Sequence, residues 1–123
     1  MSYFDVYIGD LGDASFRWDG GDWNGNVPVP ISPFFPEGGR VWAALVDRID
    51  DGTYDGKQTD FGGYVAKVTK QQIIQFIHEQ YTNHDWYRSS GPMPHMYERL
   101  QELRRFVDTL DDRKQHALVA TEL

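Results

Sequence analysis

Apolar positions along this chain recur with a period of two in some stretches and with a helical period in others. In residues 3–8, Phe4, Val6 and Ile8 fall on one face and Tyr3, Asp5 and Tyr7 on the other. That alternation predicts a half-buried strand. Residues 40–50 place Val41, Trp42, Leu45, Val46 and Ile49 on one side of a helix, which Asp50, Asp51 and Gly52 then end. Residues 51–63 are rich in glycine and read as turns. In residues 63–69, Tyr64, Ala66 and Val68 alternate with Val65 and Lys67, predicting a second strand. Thr69 with Gln72 three positions on has the pattern of a capping box. The helix that follows, about 70–82, carries Ile73, Ile74, Ile77 and Tyr81 on one face.

Met93, Met96, Leu100, Leu103, Val107 and Leu110 recur at alternating spacings of three and four. They predict a third helix beginning near Pro94, which is tolerated only in a first turn. The same spacing fits a coiled-coil seam. A homo-oligomer through the 93–110 helix is therefore an alternative to packing on the chain's own sheet, although the stripe is short for a coiled coil. Asp111, Asp112, Arg113 and Lys114 break the pattern. Residues 116–123 read as a last strand from their alternation and their Val and Thr content. The predicted order is strand, long loop, helix, strand, helix, helix, strand. It describes a single α+β domain over 1–123, with a small, mostly antiparallel sheet of about three to four strands packed with about three helices.

The long loop changes this picture most. Residues 9–39 hold seven of the 12 glycines and four of the six prolines, with no clear period. Prolines at 28, 30, 33 and 36 each remove a backbone donor, so 27–36 should be extended or coil. Residues 15–18 could add a short strand. The segment also carries Phe16, Trp18, Trp23, Phe34 and Phe35. Disordered segments are poor in such residues, and loops of this length in compact domains tend to be functional or disordered.

Charge is concentrated in the same region. Residues 1–39 carry six acids against Arg17, a net of −5, while 40–69 and 70–123 each carry −1, making up the total of −7. An acidic surface repels phosphate backbones, so direct nucleic-acid binding is not expected. It does steer basic partners toward it. The chain has no cysteine, which removes disulfides, thiolate metal sites and cysteine nucleophiles and agrees with a reducing compartment. No apolar run approaches the ~18 residues of a membrane span. No basic region followed by an apolar stretch opens the chain. A cytoplasmic protein without membrane association is the expectation.

Motifs that carry chemistry are sparse. Asp51, Thr53 and Asp55 with Gly56 at the sixth position approximate the opening of a calcium loop. Thr53 stands where an acid or Asn belongs, and Gly62 stands where the bidentate Glu belongs. Asp22, Asn24 and Asn26 suit tight turns equally well. His78-Glu79 lacks the second histidine of a zinc helix, since Thr82 occupies that position. The cluster of His84, Asp85, Arg88 and His95 offers the groups of a small hydrolase or a metal-dependent enzyme, with Arg88 to hold an anion. No nucleophile elbow is present. The glycine pairs lack the residues of a phosphate cradle. No cofactor is expected.

A non-enzymatic reading rests on the acidic loop. Tryptophans are enriched at interface hot spots, and charges set partner choice and association rate. Asp10, Asp13, Trp18, Asp19, Asp22 and Trp23 are the candidate contacts for a basic protein partner. The opposing reading folds the tryptophans inward and leaves the acids as turn residues. In size, acidity, lack of cysteine and lack of a catalytic motif the chain resembles small proteins that bind and block another protein, such as toxin-immunity proteins and phage-encoded inhibitors. The resemblance is one of composition and carries no motif. It implies inhibition by binding, and an oligomeric structural subunit is a further alternative.

Overall fold

The structure, a computed structural model, describes residues 4–13, 16, 27–36, 38–59, 63–83 and 94–122; the side chains of 81–83 and 94–97 fall outside that description. Its elements are β1 (Phe4–Gly9), α1 (Gly38–Asp50), β2 (Asp55–Gln58), β3 (Tyr64–Thr69), α2 (Lys70–Asn83), α3 (Pro94–Val107) and β4 (Gln115–Glu122). The strands form one antiparallel sheet in the order β1-β4-β3-β2. The α+β class is therefore observed, with a four-stranded sheet and three helices among the described residues.

The last strand to be made lies between the first and third. Register puts Val6 opposite Ala120 and Ile8 opposite Leu118 on one side of β4, and Ala66 opposite Leu118 on the other. Because strand side chains alternate between faces, these residues share one face. They join Val41 and Leu45 of α1, Ile73, Phe76 and Ile77 of α2, and Leu100, Leu103 and Val107 of α3 in the main core. Leu100, Leu103 and Val107 of the seam-like stripe are thus packed inside their own chain. The helix stops at Val107, short of the predicted 110. A turn closed by the Thr109 N–H and hydroxyl, both donating to the Phe106 carbonyl, carries Leu110 onto the core edge.

The opposite parity forms a second, smaller cluster. Tyr7, Val65, Ala117 and Val119 are buried there with Phe16, and Leu11 and Val27 pack against them. The predicted half-buried first strand is therefore buried on both faces at its centre. Tyr7 looks solvent-facing in the sequence because it is polar at one end, but its ring is covered by the chain that follows the strand. The other difference is β2, which lies in the region read as turns. Its side chains are mostly exposed and it pairs on one side only, so no apolar alternation marks it. Gly56 lets β2 lie close under α1, since a Cβ there would fall 2.7 Å from Ile49 Cγ1.

Element boundaries follow from local chemistry. Thr69 N–H donates to Gln72 Oε1 (2.8 Å) and Gln72 N–H donates to Thr69 Oγ1 (3.1 Å), the reciprocal capping box at the start of α2. Lys70 Nζ donates to the carbonyls of Asp108 (3.3 Å) and Leu110 (3.1 Å), tying the start of α2 to the end of α3. Such carbonyls have no partner within the helix and favour a cation. At the end of α1, Gly52 takes φ +83°, a conformation that glycine adopts without strain. Arg48 and Glu79 form an ion pair across α1 and α2.

Gly38 fixes how β1 meets α1. A Cβ at Gly38 would stand 1.9 Å from the Phe4 carbonyl oxygen, whereas one at neighbouring Gly39 would meet only Phe4 Cδ2 at 3.9 Å. Helix propensity favours alanine over glycine by up to ~1 kcal/mol at both positions. Contact with backbone reverses the sign at the first. Gly38→Ala is expected to destabilise by roughly 2–3 kcal/mol, while Gly39→Ala is neutral or stabilising. Urea unfolding of the two variants checks this, and equal midpoints would contradict the close approach.

Candidate partner-binding face

After β1 the chain turns at Leu11 and Gly12, where Asp10 Oδ1 accepts from Gly12 N–H (2.8 Å). Asp13 N–H donates to the Asp10 carbonyl, and Phe16 N–H donates to that of Asp13. Phe16 then enters the second cluster. The chain re-enters the same cluster at Val27, whose Cγ1 sits close over Gly63. Residues 27–36 next run beside β1 as a proline-rich strap. Ile31 N–H donates to the Ile8 carbonyl (2.9 Å), Phe35 N–H to the Val6 carbonyl (2.8 Å), and Ile8 N–H to Ser32 Oγ (2.9 Å). The extended form predicted for this stretch is what allows these bonds. The free edge of β1 is covered in this way, which suppresses strand-to-strand association.

The strap closes the base of the acidic loop. Val29 N–H donates to Asp13 Oδ2 (3.0 Å), and the Val29 carbonyl accepts from Asp10 N–H (3.0 Å). Tyr7 Oη donates to the Pro28 carbonyl (2.8 Å) across the same junction. Burial pushes the Tyr7 hydroxyl up to about 12, and the carboxylates of Asp5 and Asp13 add to the shift. The described aromatics of the segment divide between the faces of the sheet. Phe35 is buried against Phe76 on the helix side, with ring centroids 5.7 Å apart, and Phe34 leans on Tyr7 at 5.5 Å.

Two predicted contacts, Asp10 and Asp13, thus lie at the loop base with carboxylates engaged in backbone hydrogen bonds. Trp18, Asp19, Asp22 and Trp23 lie outside the described residues, as do residues 15, 17 and 18 of the suggested short strand. His84, Asp85 and Arg88 also lie outside them. His95 is placed on α3 by its backbone, with its side chain outside the description. Asp51 accepts from the Thr53 amide (2.8 Å) in the turn between α1 and β2, and hydrogen bonds from the Thr53 hydroxyl and amide hold its carboxyl below the usual range. Asp51, Thr53 and Asp55 are all exposed, and no group of three or more metal-ligating side chains converges among the described residues.

Sequence reasoning named Phe34 and Phe35 among the aromatics of the loop but placed none of the strap's side chains among the candidate contacts. Among the described residues, the exposed large apolar groups are Val29 (49 %), Ile31 (43 %) and Phe34 (39 %). Ile31 borders an open cleft of about 460 Å³, whose other walls include Asp10, Gly12, Lys114 and His116. The signal was present in the run V-P-V-P-I-S-P-F-F-P: regular proline prevents a helix or central strand from burying every apolar residue between them. Comparison with protein-family models, curated proteins and solved structures finds no match to this chain.

The buried Tyr7 contact has a consequence at alkaline pH. A hydroxyl whose acidity is weakened by folding contributes stability that is fully present below the unfolded value of 10.0 and is lost as pH rises through about 12. Tyr54 is buried as well and shifted in the same direction, first by burial and then by Glu79. Denaturant unfolding is expected to weaken across this window, and Tyr7→Phe to make the decline shallower. A decline of unchanged slope in the variant would show that Tyr7 does not carry it.

Proposed function

We propose that the protein is a non-enzymatic binding module that presents its acidic, aromatic loop to a basic protein partner, in the manner of an inhibitor or immunity protein. The observation that supports this reading is the closed base of the loop. Phe16 and Val27 pack in one cluster, and Asp10 and Asp13 hydrogen-bond to Val29. Phe16 and Val27, the described residues on either side of 17–26 with its Trp18, Asp19, Asp22 and Trp23, thus meet at one cluster on the sheet. Compact loops with adjoining ends on a fixed scaffold are common carriers of binding function.

The division of labour follows from the chemistry. Asp10 and Asp13 shape the base of the loop and contribute to its negative field. Asp19 and Asp22 act on encounter with a cationic surface, and Trp18 and Trp23 supply apolar anchors. Residues 1–39, with their net of −5, account for most of the charge available for steering.

The Asp19→Lys/Asp22→Lys double reversal is expected to slow association with a purified basic partner by about tenfold and to flatten its dependence on salt. Stopped-flow association measured over a range of ionic strength reads both effects. An association rate and salt slope equal to those of the unaltered protein would sink the assignment to this loop.

A further inference from the structure

The strap combines two properties that bear on how a partner would dock. It keeps Val29, Ile31 and Phe34 exposed, with Ile31 beside a cleft, and it has little backbone to offer. Pro28, Pro30, Pro33 and Pro36 have no N–H, and the N–H groups of Val29, Ile31 and Phe35 are directed inward to Asp13, Ile8 and Val6. An added strand needs a row of free donors and acceptors, so this edge is poorly suited to strand addition. Its exposed apolar side chains, here called the ridge, lie near the carboxylates of Asp10, which lines the cleft with Ile31, and of Asp13, which accepts from the Val29 N–H.

We infer that the ridge of Val29, Ile31 and Phe34 is the apolar half of the binding face, and that its occupant is a basic partner that sets an aromatic or aliphatic side chain on the ridge beside a lysine or arginine. The inference rests on the acidic-loop reading and adds a second surface and a mode of recognition to it. Charge complementarity selects the occupant. A second copy of this chain would bring its own net of −5 over residues 1–39 against the same field, whereas a cationic surface gains from it. An apolar centre with a charged surround is also the usual anatomy of a protein interface. The cleft that Ile31 shares with Asp10 and Gly12 gives an anchor side chain somewhere to sit. Lys114 in its lining keeps the cleft itself from being uniformly acidic, so it accepts the apolar anchor while Asp10 and Asp13 attract the cation.

A random peptide library displayed on phage, panned against the whole protein, tests this without a known partner. Enriched peptides should place lysine or arginine next to an aromatic or leucine. A synthetic copy of one should lose about tenfold or more in affinity on Ile31→Asp/Phe34→Asp. Methylation of its backbone nitrogens should leave affinity unchanged, since side chains make the contact. Circular dichroism melting establishes that the variant is folded. If it is not, Ile31→Ser/Phe34→Ser carries the same test. Loss of binding on Asp19→Lys/Asp22→Lys with none on the ridge variant would overturn this inference and leave the acidic-loop reading standing. Peptides without basic residues, or no enrichment over background, would overturn the inference, and so would affinity abolished by backbone methylation. Insensitivity to both variants would overturn it together with the reading beneath it.

Discussion

Ala117, Leu118, Val119 and Ala120 at the centre of β4 are buried on both faces, although the three helices of the described chain cover only one of them. Something else must keep water from Val65, Val119 and Tyr7. The N-terminal segment does so with Leu11, Phe16 and Val27. Each large apolar side chain removed from water is worth about 1.5–3 kcal/mol, so a bare second face would be a substantial loss for a domain of this size. The composition that looks least like a fold, rich in glycine and proline, is therefore part of the fold.

The same requirement accounts for the glycines and prolines. Gly9 allows the returning strap to lie tightly over the strand, because a Cβ there would meet Pro28 Cβ and Val119 Cγ2, each at 2.9 Å. The prolines keep the strap extended while preventing it from becoming a new edge open to pairing. Tyr7 joins the two roles, with its ring in the second cluster and its hydroxyl bonded to the Pro28 carbonyl. A cover held this firmly can support a loop whose composition suits recognition rather than packing. The proposed binding function draws on that arrangement, with scaffold and binding loop belonging to one continuous segment.

The helices and the central strands were legible because each has a repeating apolar face or a cap. The Thr69/Gln72 box and the Leu100, Leu103, Val107 stripe carried over into the structure with their boundaries nearly intact. Strand β2 was not legible, since an edge strand of Asp, Gly, Lys and Gln shows no burial pattern and owes its conformation to β3 alone. The second face was hidden for a related reason. Alternation of Asp5 and Tyr7 with apolar neighbours signals one buried face, and only tertiary structure reveals that Tyr7 is covered. The loop base was half legible: Asp10 and Asp13 could be singled out by charge, while their bonds to Gly12 and Val29 depend on where the chain returns.

Native-state hydrogen exchange at the amides of Ile31 and Phe35 most directly tests the claim that the strap belongs to the folded core. Their hydrogen bonds to Ile8 and Val6 should open only with the sheet. The account predicts that both amides exchange with the same free energy as those of Leu118 and Val119 in β4, and that all four respond alike to low concentrations of denaturant. Exchange of Ile31 and Phe35 at rates near those of an unprotected peptide, with β4 still protected, would contradict it.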